Sequence, residues 1–208
     1  MENPHKLTKQ IADWLQTGSI NIFGLPFAGK DTHGKALCSQ LGGHFISGGD
    51  LIRTQKRMQE KAKKIVDQGG LAPTTDYFSV ILPELSKTSH QDKPLILSSV
   101  GRWAGEEDTI IKVCKESGHP IKAAIYIKTS PEEMHTRFEA SIKIGDRGDR
   151  NDDQLHKLEK RQYEFETKTM PVIETYQKLG LLIEVDGQQP KEKVFSDILE
   201  DLYKKAKN

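Results

Sequence analysis

Residues 19–32, SINIFGLPFAGKDT, constrain the fold more than any other stretch of the chain. Ile20, Ile22 and Phe23 form an apolar run suited to a buried strand, residues 24–29 a glycine- and proline-containing loop, and Lys30 a helix start. That succession predicts a phosphate-binding loop. Gly24 and Gly29 let the chain curl so that several amides converge on an anion, the helix start adds partial positive charge, and Lys30 reaches the outer phosphates. Thr32 would bring a hydroxyl near a metal. The general pattern, Gly-x4-Gly-Lys followed by Ser or Thr, is broken by Asp31, so an ordinary strand-to-helix turn with a solvated lysine remains the competing reading at this point.

The length, 208 residues, suits one domain with a real core, and 31 basic against 30 acidic residues leave a net charge of +1. This balance argues against nucleic acid or a membrane surface as the main partner, so any anion site must be local. Cys38 and Cys114 lie far apart and outside any Cys-x-x-Cys pair, which predicts free thiols acting as small buried hydrophobes. No charged-then-apolar leader and no apolar run of the ~18 residues that a span requires can be found, so a soluble cytoplasmic protein is expected. The seven histidines are scattered, with no helical pair beside a carboxylate that would mark a zinc site, and are expected at the surface.

Strand and helix signals alternate along the rest of the chain. Leu7, Ile11, Trp14 and Leu15 share a face of a first helix over residues 6–17, ended by Gly18, and the helix after the loop stops at Gly42-Gly43. Residues 44–46 form a short strand, and 51–68 an exposed helical arm closed by Gly69-Gly70. Thr74 or Thr75 is placed to cap a helix with Tyr77, Phe78, Ile81, Leu82 and Leu85 on its inner side, and 94–97 is an apolar strand. A helix over 106–117, a strand over 121–127, and a helix with Ser130 as cap and Pro131 at its first position come next. Residues 141–151 should be a surface loop, 152–179 a polar helical stretch interrupted at Pro171, where the chain kinks or a new helix begins, 181–185 a fifth strand and 191–205 a closing helix. The pattern predicts an α/β fold: a five-stranded parallel sheet with helices on both faces and ligands at the C-terminal ends of the strands.

Read as an ordered set, these motifs make the whole chain resemble the adenylate kinase family of nucleoside monophosphate kinases. GLPFAGKDT is similar to the family's phosphate loop, in which one residue normally separates the lysine from the threonine, so Thr32 falls in register. HFISGGDLIR resembles the entry to the acceptor-binding arm, VDQGGLAP the turn that closes it, LILSSVGRW the third strand with its arginine, RNDDQLHKLEKR the segment after the lid, and EVDGQQP the loop over the donor adenine.

The resemblance implies a single domain over 1–208, with an acceptor arm at about 48–73 and a short lid at about 141–151. It implies ATP binding by Phe27, Ala28, Gly29, Lys30, Asp31, Thr32, Arg137 and Gln189, and acceptor binding by Gly48, Asp50, Arg53, Leu71, Arg102, Glu106, Arg150 and Arg161. The residues implied in catalysis are Lys30, Arg102, Arg137, Arg150 and Arg161, as suits a transfer in which positioning and charge neutralisation do the chemistry. The expected partners are ATP, as its Mg2+ complex, and a nucleoside monophosphate, AMP by default, bound by a monomer.

Ser98 stands where the family has an acid that holds magnesium through water, so Thr32, Asp31 and Asp50 become the candidates on the metal side; Asp31 could equally be a charge at a helix N-terminus. A lid arginine is replaced by Ser141, with Arg147 or Lys143 as possible substitutes. Glu106 replaces an adenine-reading glutamine, which favours guanine or cytosine as challengers to adenine unless Glu106 only starts its helix. A catalytically degenerate nucleotide-binding protein, or a P-loop kinase for a non-nucleotide acceptor, are the alternative functions.

Overall fold

The computed structural model describes residues 4–54, 60–144 and 155–207. Its centre is a five-stranded sheet in the order β2-β3-β1-β4-β5, all pairs parallel. The strands are β1 (Ser19–Phe23), β2 (His44–Ser47), β3 (Leu95–Ser98), β4 (Ile121–Lys128) and β5 (Leu182–Asp186). Around them lie α1 (Pro4–Leu15), α2 (Lys30–Leu41), α3 (Gly48–Thr54), α4 (Glu60–Asp67), α5 (Thr74–Leu85), α6 (Glu106–Glu116) and α7 (Pro131–Ile144). Next come α8 (Leu155–Glu164), a π-helical turn (Phe165–Thr169), α9 (Met170–Lys178) and α10 (Lys191–Lys207).

The period-2 pattern of the central strands divides the core into two layers. Ile20, Ile22, Ile96, Ile125 and Ile127 face one side, where Ile11 and Leu15 of α1, Leu37 of α2, and Ile198 and Leu202 of α10 cover them. Phe23, Leu95, Leu97 and Ala124 face the other, against Tyr77 and Ile81 of α5, Ile110 of α6 and Val172 and Tyr176 of α9. Both faces are therefore sealed, and the open functional edge is where β1, β2 and β3 end.

Several local expectations are corrected. Neither Thr74 nor Thr75 caps α5: Pro73 occupies the cap position without a side-chain bond, and the Thr74 hydroxyl donates instead to Glu106, 2.8 Å away. Helix α7 runs on through Ile144, so the first residues expected in the loop are helical. At Pro171 a new helix does begin, as expected: the residue falls in the first turn of α9, where a missing amide costs nothing, and a π-helical turn joins α8 to α9. The histidines are not all at the surface: His33, His90 and His119 are buried. Cys114 is fully buried as expected and its thiol is pushed up to about 12 by burial, whereas Cys38 is only half-buried. Among the described residues no helix is long and apolar enough to cross a membrane.

Candidate active site

The loop leaving β1 closes on itself. Phe27 takes a left-handed backbone (φ 63°), a strained state for a residue with a side chain, and its ring packs edge-on against Phe138 of α7 at 5.6 Å. Gly29, at φ 88°, turns the chain into α2. The Lys30 ammonium donates to the carbonyls of Gly24 (2.8 Å) and Leu25 (2.7 Å), so it lies within the curl of the loop. Ala28 is buried in the core beneath, and Thr32 is exposed on the first turn of α2.

At the end of β3 the Ser98 hydroxyl donates to Asp31 Oδ1 at 2.6 Å. An acid thus sits at the tip of the third strand, although the strand itself supplies only a serine. Arg137, from α7, donates to the Gly187 carbonyl (2.6 Å) and to Phe27's (3.4 Å) while Glu133 pairs with its Nε at 2.7 Å. The guanidinium therefore ties the phosphate loop to the loop after β5. Gln189, in that second loop, donates to Asp197 Oδ2 at 3.0 Å and to the Asp186 carbonyl at 3.3 Å.

Across the sheet edge lies a cleft of about 580 Å³, solvent at its mouth included, with Gly48, Arg53, Gly70, Leu71, Arg102 and Arg161 among its walls. Glycines make it possible. A Cβ on Gly48 would stand 2.8 Å from the Ser99 carbonyl oxygen and 3.1 Å from the Tyr77 hydroxyl, and one on Gly69 would stand 2.7 Å from the Lys157 carbonyl oxygen of α8. The turn that ends the arm thereby rests on α8, the helix that carries Arg161.

Arg102 gives the cleft its electrostatic character. Burial pulls its guanidinium below the ordinary value; Tyr77, Glu164 and Glu106 offset the loss, and Arg53 adds to it. Arginine does not surrender its proton, so a positive charge stands at the wall of the cleft. Arg53 pairs with Asp50 at 2.5 Å, which keeps Asp50 beside an arginine of the cleft; Asp50 itself lines a smaller hollow with Lys35, Phe45 and Glu84.

Glu106 is buried and fully engaged. Its Oε2 accepts from the amides of Arg102 (2.8 Å) and Trp103 (3.1 Å), and its Oε1 accepts from Thr74. This carboxylate holds the Arg102 loop in shape. The structure thus brings together Gly48, Arg53, Leu71, Arg102, Glu106 and Arg161 on one cleft, and Lys30, Asp31 and Arg137 around the phosphate loop. Arg150 and Arg147, implied by the resemblance, lie outside the described residues.

Sequence reasoning missed two residues of the cleft. Tyr77, read only as core, accepts the Gly101 amide at 2.9 Å on its hydroxyl and lines the cleft. Trp103 lines it too, with the Lys168 ammonium 4.2 Å from its ring centroid. Only the position of Trp103 directly after Arg102 could have pointed to it. Ser99 (φ 52°) bends the chain between Ser98 and that loop.

Comparison with known proteins agrees with this geometry. A sequence model of the family described as "Adenylate kinase" matches residues 22–181. The adenylate kinase of Vanderwaltozyma polyspora is 28% identical over 211 aligned residues, spanning 88% of this chain and 95% of the relative. That of Bacteroides fragilis is 29% identical over 184 residues, spanning 86% and 95%, and that of Methanococcoides burtonii 27% over 212, spanning 88% and 98%.

Proposed function

The chain belongs to the adenylate kinase family, and from this premise we propose that it transfers the γ-phosphoryl group of ATP to a nucleoside monophosphate, with AMP as the default acceptor. The observation that carries the proposal is the placing of two cationic clusters at the C-terminal ends of the strands: Lys30 in the loop after β1, and the cleft lined by Arg53, Arg102 and Arg161. Two polyanions must be brought together for the reaction, and fixed cations on both sides neutralise the charge as it shifts. A protein that only bound nucleotide would have no use for a second set.

ATP enters as its magnesium complex, and the residues present suit it. Asp31, oriented by Ser98, is the hard oxygen acid at the strand tip, and Thr32 lies one residue further on. Asp31 would take the place of the missing third-strand acid in holding the ion, while Asp50, paired with Arg53, serves the acceptor arm instead. An activity assay with Asp31→Asn tests this point: the magnesium optimum should move upward, and an unchanged optimum refutes the substitution.

The replacement of that acid also favours a second reading, a nucleotide-binding protein without turnover. A coupled ADP-release assay with MgATP and AMP, GMP, CMP or UMP separates the two. Turnover with AMP ahead of the others is expected. Tight nucleotide binding without turnover for any acceptor would establish the degenerate protein.

A further inference from the structure

At the edge of the sheet opposite the nucleotide site, three side chains from separate parts of the chain converge. They are His44, the first residue of β2, Glu84, in the last turn of α5, and His90, in the short 3-10 turn Thr88–His90 that precedes β3. One ligand-type atom from each lies within 4.8 Å of the other two. The imidazoles of His44 and His90 have centroids 4.1 Å apart, and His90 Nε2 is 3.4 Å from Glu84 Oε1. We propose that His44, Glu84 and His90 form a binding site for a zinc-type divalent ion, with two imidazole nitrogens, one carboxylate oxygen and a fourth position left for water.

The donor set matches the metal. Zinc takes histidine nitrogen and carboxylate oxygen at about 2.0–2.2 Å in a tetrahedron, whose ligand atoms are then about 3.4 Å apart. The His90–Glu84 pair already has that spacing. His44 is exposed, so its ring can rotate to close the remaining distance, whereas His90 is buried and fixed. Outer partners are also in place. Lys87 holds Glu84 Oε2 at 2.5 Å and leaves Oε1 turned toward the histidines, while Ser89 Oγ lies 3.5 Å from His90 Nδ1. If Nδ1 carries the proton, Nε2 and Glu84 Oε1 face each other as two acceptors, and a cation between them turns this repulsion into ligation.

Lys87 and Lys93 lie close enough to the His44 imidazole for their charges to act on it. The two lysines also oppose a second positive charge nearby, which makes this a site of moderate affinity. The site has no counterpart in the phosphate chemistry: it lies at the strand starts, and its ion would clamp β2 to α5, the elements on either side of the acceptor arm.

Isothermal titration of the full-length, tag-free protein with zinc chloride, after chelator treatment and without nucleotide, tests the proposal. The expected result is one zinc per chain, with affinity reduced tenfold or more in both His44→Asn and Glu84→Gln. The exposed His44 position keeps that variant folded, which circular dichroism checks. Zinc should also raise the melting temperature of wild type and not of His44→Asn. Absence of stoichiometric uptake by wild type, or uptake that persists unchanged in both variants, overturns the site.

Discussion

The two halves of the nucleotide site are built by different means. On the donor side the geometry is local: Lys30 folds back onto carbonyls five and six residues before it, and Phe27, Gly29 and Asp31 all belong to one strand-loop-helix passage. On the acceptor side the walls are gathered from distant segments. Gly48, Tyr77, Arg102 and Arg161 come from α3, α5, the loop after β3 and α8, and the cleft exists only because these elements pack. The difference teaches that the donor half tolerates loss of a side chain without losing shape, whereas the acceptor half is sensitive to added volume.

The strongest way to break that contrast is Lys30→Ala. Removing a cation aimed at the transferring group should lower kcat by about 10²–10³-fold. The loop's shape comes from glycines and from the Phe27–Phe138 contact, so the loss of two hydrogen bonds should cost only about 1 kcal/mol each in a denaturant titration. Turnover equal to wild type in this variant removes the phosphate-loop assignment altogether.

The converse test adds an atom to the other half. A methyl group at Gly48 must push on the Ser99 carbonyl and the Tyr77 hydroxyl, both of which bound the acceptor cleft. Gly48→Ala should reduce kcat/KM for the acceptor on the order of ten- to a hundredfold, with KM for ATP little changed. Equal damage to both substrates would mean that the halves are not independent.

The same contrast explains what was legible in the sequence. The sheet, its parallel strands and both helical layers could be read, because apolar runs and glycine stops recur at each strand and helix. Ordered motifs single out Lys30, Arg53, Arg102, Arg137 and Arg161, which the fold brings to the strand ends. Tyr77 could not, since an aromatic on the inner face of an amphipathic helix carries the same pattern whether it fills the core or ends at a cleft with its hydroxyl on the Gly101 amide. Nor could the burial of His33, His90 and His119 be read, because each is enclosed by elements distant in sequence. His119, for example, sits 2.7 Å through Nδ1 from the Thr17 carbonyl. For Glu106 the sequence allows both reading a base and starting a helix, and only tertiary contacts reveal that three donors from two segments occupy it.

Those three donors sharpen the comparison further. If Glu106 is a strut of the Arg102 loop, Glu106→Ala strands two half-buried amides and should lower stability by about 1–3 kcal/mol, measured by denaturant unfolding. Glu106→Gln can keep its oxygen on the amides and turn its NH2 toward the Thr74 hydroxyl, so it should retain most of that stability. The ranking of AMP, GMP, CMP and UMP by kcat/KM should be the same in wild type and Glu106→Gln. A changed ranking would show that this carboxylate reads the base as well as bracing the loop.

The smallest expected effect concerns the donor half and depends on pH. His33 is buried in α2 just behind the phosphate loop, stacked on Phe195 of α10 with ring centroids 6.1 Å apart. Burial holds its imidazole below the ordinary value of 6.5, and the charges of Lys191 and Arg137 add to the effect. In the unfolded chain the ring takes up a proton as pH falls through 6.5, while in the folded chain it resists until a lower pH. Between those values the unfolded state binds more protons, so stability declines as pH falls, and the decline ends once the folded-state pKa is passed. Above pH 6.5 the ring is neutral in both states and contributes no slope. His33→Asn removes the titration, so melting temperatures of wild type and variant should differ by a constant amount at alkaline pH and converge as pH drops from about 7 to about 5. His44 is shifted in the same direction but is present in both proteins, so it cancels in the comparison. A difference that stays constant over the whole range would mean that the pocket behind the phosphate loop accepts the charged imidazole.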